Sequence, residues 1–394
     1  MPNEQKTKTR RSKGDGTIFK NSKGKWVARY QGKEFTGDVK SEVKARMDKY
    51  KLLVQTGEAC TRKLTVKQYG EKFLYYKEQQ NKRGKFKNTS LDRLERTFQN
   101  QIEGSELAKI LMCNLDGLQI QAFIDSLACK YSLSTIRKAY LFLQAMIGFG
   151  LEMKDLPKNF DPLSIVELPD ESVLEVKTKE IEIIPDEYLP IFTKTALERK
   201  PDGSLAYRYG PLLVFGLNTG FREGELLAIS TAGIRDLGDR HAYHISETVS
   251  TVKNRDKNAS TRTKRILTAP KYPRSIRTVP LNKEADDCLQ LMLSHYASNK
   301  VRKDLIITTK NGLLPTARNI QTTLDRILTK AGLPHYGTHA LRHTFATRLL
   351  RQTKSHQEIK AVAELLGDDY NVVVKTYLHT DEDGKLNLVD LLAS

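Results

Sequence analysis

The stretch Gly337-Thr338-His339-Ala340-Leu341-Arg342-His343-Thr344-Phe345-Ala346-Thr347 carries a histidine and an arginine three positions apart. On a helix, His339 and Arg342 share one face, and His343 lies on that face one turn beyond His339. Upstream, Thr219-Gly220-Phe221-Arg222-Glu223-Gly224-Glu225 sets a second arginine after a turn and ahead of a helical segment. Downstream, Lys375-Thr376-Tyr377-Leu378-His379 supplies a tyrosine. Two guanidinium groups can hold the non-bridging oxygens of a phosphodiester by charge-assisted, often bidentate hydrogen bonds. They also stabilise the charge that gathers on a five-coordinate phosphorus. A histidine near its ordinary pKa of about 6.5 takes up or releases a proton at neutral pH. A tyrosine hydroxyl becomes a nucleophile once a base or nearby positive charge removes its proton. Each piece alone is weak: a lone His-x-x-Arg is common, an arginine at a helix start is usually a surface residue, and any one of 16 tyrosines is usually a core residue.

Arg222, His339-x-x-Arg342 and Tyr377, in this order and at these separations, resemble the tyrosine recombinases, also called the phage-integrase family. The resemblance covers nearly the whole chain; it is strong in about the last 180 residues and weak before residue 64. It implies that Arg222 and Arg342 clamp the scissile phosphate and that Glu225 supports the site from behind. It assigns His339 to the phosphate and the tyrosine hydroxyl, as acid/base or hydrogen-bond partner, with His343 as a supporting residue. It makes Tyr377 the nucleophile, giving a 3′-phosphotyrosine linkage and a free 5′-hydroxyl, without metal, ATP or any other cofactor. Tyr370 is the rival, but the interval from Gly367 to Tyr377 fits the family and Tyr370 lies too close. His379 fits the common Tyr-x-His ending. The general acid for the leaving 5′-oxygen would be Lys271, in Ala269-Pro270-Lys271-Tyr272-Pro273-Arg274-Ser275-Ile276-Arg277-Thr278-Val279-Pro280-Leu281; its alternative is plain phosphate contact. Asp368 departs from the pattern, because the family has His or Trp there as a hydrogen-bond donor. An ionised carboxylate donates nothing and repels phosphate. Asp368 is therefore expected to point away, to be protonated, or to slow the enzyme.

Composition narrows the partners. The 394 residues suit two or three domains. With 65 Lys+Arg against 47 Asp+Glu the net charge is +18, and a chain this basic usually meets a polyanion, most often nucleic acid. No apolar run reaches the roughly 18 residues a bilayer span needs. The N-terminal Lys6, Lys8, Arg10, Arg11 and Lys13 lack the apolar core of a signal peptide. Cys60, Cys113, Cys129 and Cys288 are scattered and read as reduced cytosolic thiols, not a zinc site or disulfide framework. No acidic cluster has metal-ligand spacing, which argues against a metal-dependent nuclease.

Along the chain, residues 1–13 are basic and expected to be disordered alone. Strands are expected at 16–20, 25–30 and 33–36 around an Asn21-Ser22-Lys23-Gly24 turn, then a helix from Ser41, as N-cap, to about Thr56. Lys20, Trp26 and Arg29 are DNA-contact candidates there. Thr65 can cap a helix holding Tyr69, Phe73 and Tyr76. A basic loop from Lys77 to Lys87 (Lys82, Arg83, Lys85, Lys87) follows, with more helices at about 91–101, 116–127 and 134–149. Pro157, Pro162 and Pro169 interrupt the helical pattern. Later come helices at 210–217, 284 onward, 319–328, 338–351 and 356–366. Strand-like pieces at 241–252, 264–268 and 274–280 lie among them. The basic 253–265 insertion, with Lys264, Arg265 and nearby Arg274, reads as a DNA-contacting loop. The expected fold is multidomain: a small three-stranded β-sheet plus helix (1–63), an all-α domain (64–165), a linker (166–185) and a mixed, mainly-α domain with a small β-sheet (186–394).

This plan also resembles recombinases of conjugative transposons and temperate phages, where the three parts bind arm DNA, grip the core site and cleave. The resemblance implies integration and excision of a mobile element through a Holliday junction, by a homotetramer on double-stranded arm and core sites. An excisionase and a host DNA-bending protein are further possible partners, and the implied setting is the bacterial cytoplasm, at the nucleoid. The tail Leu386-Asn387-Leu388-Val389-Asp390-Leu391-Leu392 would dock on a neighbouring protomer or pack on its own domain. Binding would be strongly salt-dependent, with a slope near −0.9 in log K per neutralised phosphate. Two alternatives stand: a DNA-binding protein on the same fold that has lost its chemistry, favoured only by Asp368, and a type IB topoisomerase, opposed by the first two domains.

Overall fold

The computed structural model describes residues 15–55, 64–177, 179–256, 258–296, 300 and 302–377. The basic N-terminal residues 1–13, Cys60, His379 and the apolar tail 386–392 lie outside the described residues. The chain divides into two compact units, 1–179 and 180–394.

In the first unit, β1 (Thr17–Lys20), β2 (Trp26–Tyr30) and β3 (Lys33–Gly37) form an antiparallel sheet in the order β1-β2-β3. The first turn closes as its residue types require, with Asn21 Oδ1 accepting from the backbone N–H groups of Lys23 and Lys25, both at 3.0 Å. Helix α1 (Lys40–Gln55) starts one residue before Ser41, so Ser41 lies inside the helix and does not cap it. Its Val43, Met47 and Tyr50 bury against Ala28 and Phe35 of the sheet.

Helix α2 (Val66–Lys82) begins with a capping box: Thr65 accepts from the Gln68 N–H, and the Gln68 side chain accepts from the Thr65 N–H. The expected loop from Lys77 is helical as far as Lys82. Lys77 and Lys82 are absorbed because long aliphatic stems suit a helix surface, and the chain turns only around Gly84, at φ 72°. Then come α3 (Asn88–Thr97), which runs into a π-helical turn at Phe98–Ile102, α4 (Gly117–Ala128, capped by Asp116) and α5 (Leu133–Glu152). One core holds Tyr69, Phe73, Phe98, Ile124, Phe142 and Leu174. Residues 166–174, within the expected linker, pack onto it: Leu174 is buried, and Gln121 bonds the Glu167 backbone.

The second unit starts with a short 3-10 turn and α6 (Leu189–Ala196), then the mainly apolar α7 (Gly210–Thr219) and the short α8 (Glu223–Leu226). Strands β4 (Ile234–Asp236), β5 (His241–Ile245) and β8 (Arg277–Pro280) form one antiparallel sheet, order β4-β5-β8. β6 (Thr248–Lys253) pairs with β7 (Thr263–Thr268) in a separate hairpin. The expected single strand 241–252 is thus two strands serving two sheets, broken at Ser246-Glu247. Helices α9 (Lys283–His295), α10 (Ala317–Ala331), α11 (Thr338–Leu350), α12 (His356–Leu366) and α13 (Tyr370–Tyr377) complete the unit. α7 is buried on all sides, with α9, α10 and α11 around it. No helix among the described residues is long and apolar enough to cross a membrane.

Candidate active site

Five segments of the second unit converge: the α7–α8 turn, the start of β8, α11, the end of α12 with the residues after it, and α13. Gly220 ends α7 in the left-handed region, at φ 65°. A Cβ there would lie 2.4 Å from the Phe345 ring. Gly220→Ala is therefore expected to cost about 1–3 kcal/mol and to disturb Arg342, which donates to the Gly220 carbonyl at 2.7 Å. Urea unfolding would read the cost; an unchanged midpoint would count against the strain argument.

Arg222 opens α8. Its own N–H donates to Glu225 Oε2 at 2.9 Å, and its Nη1 donates to Glu225 Oε1 at 2.9 Å. Glu225 is 4% exposed and is shared with a second arginine. Arg277, 8% exposed at the start of β8, donates Nη2 and Nη1 to the two Glu225 oxygens at 2.9 and 3.1 Å. Its Nε donates to the Leu365 carbonyl at 2.6 Å. Burial pushes the Glu225 carboxyl up, but the Arg277 and Arg222 guanidiniums outweigh it and hold it below the usual carboxylate range. Sequence reasoning did not include Arg277 in the site. The available signal was its place in Ser275-x-Arg277-x-Val279-Pro280.

Arg342 sits on α11, 4% exposed, with Nη1 on the Gly220 carbonyl and Nη2 on the Leu366 carbonyl at 2.8 Å. Arg222 Nη2 donates to the Gly367 carbonyl at 3.0 Å. Backbone carbonyls thus aim both guanidiniums at one point, and that point holds the Asp368 carboxylate. Arg222 Nη2 donates to its Oδ1, and Arg342 Nη2 donates to its Oδ2 at 2.5 Å. Burial pushes Asp368 up, yet the charges of Arg342 and Arg222 bring it below its ordinary value. Asp368 therefore neither points away nor is protonated at neutral pH, which corrects two of the three expectations for it. The physical reason is that two clamped cations at this spot attract an anion, and the adjoining residue supplies one.

Tyr377, at the end of α13, is half-buried. Its hydroxyl lies 2.7 Å from His343 Nδ1, and the rings are 5.6 Å apart. The hydroxyl contact expected of His339 is thus made by His343. His339 is exposed, 6.4 Å from the His343 ring, and forms no hydrogen bond among the described residues. Burial, with the His339 and Arg342 charges, lowers the His343 pKa from 6.5. Burial also raises Tyr377 above its ordinary 10.0, against a downward pull from Arg342. At neutral pH the pair is a neutral imidazole and a phenol; with its own proton on Nε2, the imidazole would accept the phenol proton at Nδ1. The rival Tyr370 is bonded instead to His356 Nδ1, at 2.8 Å.

Lys271 is not brought to this cluster. It is exposed in the β7–β8 connection, with its Nζ over the Tyr272 ring at 4.9 Å. Arg274 in the same connection is paired with Asp369. Lys264 and Arg265 lie on β7. In the first unit, Lys20, Lys85 and Lys87 are exposed, Arg83 ends α2, Lys82 pairs with Glu78, and Arg29 pairs with Glu34. Trp26 is covered by Lys40.

Comparison with known proteins bears on this arrangement. Residues 190–383 match the phage integrase family. The chain is 26% identical, over 95% of its length and 94% of the relative's, to a tyrosine recombinase XerC-like protein of Caldanaerobacter subterraneus subsp. tengcongensis. It is 25% identical, over 75% of its length and 84% of the relative's, to the integrase of Staphylococcus phage L54a. Among solved structures it shares the fold of the Tn1549 transposon integrase in complex with transposon right end DNA, at TM-score 0.66 and 19% identity, covering 84% of this chain and 100% of that one. It also shares the fold of a lambda integrase dimer bound to a core site, at TM-score 0.51 and 14% identity, covering 93% and 95%.

Proposed function

The chain is a tyrosine recombinase with a phage integrase domain at residues 190–383, and from that premise we propose that it cuts and rejoins double-stranded DNA at specific sites to integrate and excise a mobile genetic element. The observation that carries this is the convergence of Arg222 and Arg342 on one anion, with the Tyr377 hydroxyl under the influence of Arg342. A phosphodiester would present its two non-bridging oxygens to the same pair. Tyr377 would attack phosphorus, forming the 3′-phosphotyrosine ester as the bond to the 5′-oxygen breaks. A 5′-hydroxyl of the partner strand would reverse the step through a Holliday junction. One ester replaces another, so no ATP is needed.

In this reading Glu225 and Arg277 hold Arg222 from behind, and His343 Nδ1 receives the Tyr377 proton. His339 attends the phosphate, and Lys271 would protonate the leaving 5′-oxygen once bound DNA draws the exposed β7–β8 connection toward the clamp. A pH dependence follows. Protonated His343 cannot accept, so single-turnover cleavage should fall as pH drops through an apparent pKa below 6.5. His343→Gln should remove that limb and lower the plateau by about 10²–10⁴-fold. A limb unchanged in His343→Gln would assign the proton to another group.

The first domain would bind arm sites and the helical domain the core site, with domains at 1–63, 64–165 and 186–394. A homotetramer would join two sites, with an excisionase and a host bending protein directing the reaction at the bacterial nucleoid. The Tn1549 and lambda integrase complexes with DNA support the DNA partner. A second reading, a DNA-binding protein with weakened chemistry, is favoured by Asp368 between the arginines. Covalent trapping decides. The full chain is mixed, without added metal, with nicked duplexes tiled across the DNA flanking its gene, then run on a denaturing gel. A shifted band supports recombinase chemistry and locates a site. Binding without adduct on every duplex supports the second reading, and relaxation of plasmids lacking any site supports a topoisomerase.

A further inference from the structure

At the residue after Gly367 the sequence departs from the expected pattern, and the geometry there is specific. The Asp368 carboxylate spreads one oxygen to each of two guanidiniums, Oδ1 to Arg222 and Oδ2 to Arg342. Two non-bridging phosphate oxygens would need the same two donors. A phosphate and the Asp368 carboxylate therefore cannot occupy the pair together.

We propose that Asp368 is an internal anion that closes the Arg222–Arg342 site in the DNA-free protein and yields it only to a phosphodiester. The proposal rests on the reading of these arginines as the phosphate clamp. Two observations make Asp368 displaceable. The arginines do not depend on it for their aim: Arg342 is held by the Gly220 and Leu366 carbonyls, and Arg222 by Glu225 and the Gly367 carbonyl. Asp368 also follows a helix end that closes without its side chain. Gly367, at φ 64°, donates its N–H to the Glu364 carbonyl, and the Asp368 N–H donates to the Ala363 carbonyl, both at 3.0 Å. Rotation about the Asp368 side chain would free the clamp and leave that cap intact. The way out is open, since the Asp368 and Arg222 side chains are 23% and 31% exposed while that of Arg342 is 5% exposed.

The electrostatics give the device a purpose. Without Asp368, the charges of Arg222, Arg342 and Arg277 face Glu225 alone. Uncompensated charge at a partly buried site is unfavourable, and a vacant clamp would accept any phosphate, including those of non-cognate DNA. An internal carboxylate holds the site neutral enough to be stable. It also sets a threshold that a phosphodiester positioned by the rest of a bound duplex would overcome, whereas a loosely held one would not.

The test uses inorganic phosphate as the probe, the DNA-free full chain, and calorimetric titration at constant ionic strength. Asp368→Asn and Asp368→His both remove the negative charge. Each is expected to gain one phosphate site on the order of tenfold tighter than any in the wild type. That gain should vanish when Arg342→Ala is added, which separates it from binding elsewhere on a basic surface. Equal phosphate binding by wild type and folded variants would overturn the proposal. So would loss of the fold in both variants that added phosphate does not restore, because Asp368 would then be a structural counter-ion that no substrate could displace. No DNA or tyrosine chemistry enters this measurement. A gain in phosphate binding without any covalent adduct would keep the closed clamp and reject the recombinase assignment; the reverse would do the opposite.

Discussion

Replacing Tyr377 by phenylalanine is expected to abolish the covalent protein–DNA adduct, a loss of at least about 10⁴-fold in single-turnover cleavage, while DNA binding stays within about twofold. Only the hydroxyl is lost. The ring would keep its place against the cluster of Ala346, Leu350, Val362, Leu366 and Val373. The hydroxyl faces His343, not a backbone group whose loss would unfold the helix. Tyr370→Phe is the matched control, since its hydroxyl bonds His356, and it should form adduct at close to the wild-type rate. The measurement is the denaturing gel on nicked duplexes, with binding followed separately by gel shift. Adduct persisting in Tyr377→Phe but lost in Tyr370→Phe would transfer the nucleophile to Tyr370.

The second large effect lies behind the site. Arg277→Ala should destabilise the second unit by about 3–5 kcal/mol, or on the order of 10 °C in Tm for a unit of this size. Glu225 is nearly inaccessible and receives two hydrogen bonds from Arg277. Without that arginine it keeps only Arg222, and the Leu365 carbonyl loses its donor. Part of the cost is uncompensated buried charge, so the double variant Arg277→Met/Glu225→Met should be more stable than Arg277→Ala. Thermal unfolding of the wild type, Arg277→Met, Glu225→Met and the pair forms the cycle, with Arg277→Ala beside it. A double variant less stable than Arg277→Ala would show that the pair acts through packing instead of charge. Cleavage should fall in every one of these variants, because Arg222 loses the carboxylate that orients it, or loses the partner of that carboxylate.

These effects separate what was legible from what was not. The helix boundaries in both units follow from local signals. Thr65 and Gln68 form a capping box, Asp116 and Ser355 cap α4 and α12, and left-handed Gly220 and Gly367 end α7 and α12. Such signals act within a turn of chain and can be read in order. The errors arise where local character is ambiguous and packing decides. Lys77 and Lys82 are compatible with either loop or helix, and burial of Tyr69 and Phe73 carries α2 onward through them. The 241–252 stretch has continuous strand character, and only pairing with two different partners divides it.

The sequence by itself determined the chemical inventory: a His-x-x-Arg on one helical face, an arginine at a helix start, a tyrosine at the right interval, and a basic chain suited to DNA. Tertiary structure alone decided how these groups meet. Arg222 and Asp368 stand 146 positions apart yet are in contact. Arg277, on a strand, became the inner partner of Glu225, and His343 took the hydroxyl contact expected of His339. The physical reason is range. Helical spacing and capping are settled by neighbours within a turn, whereas the partner of a charge is settled by whichever opposite charge the packed core brings within hydrogen-bond distance.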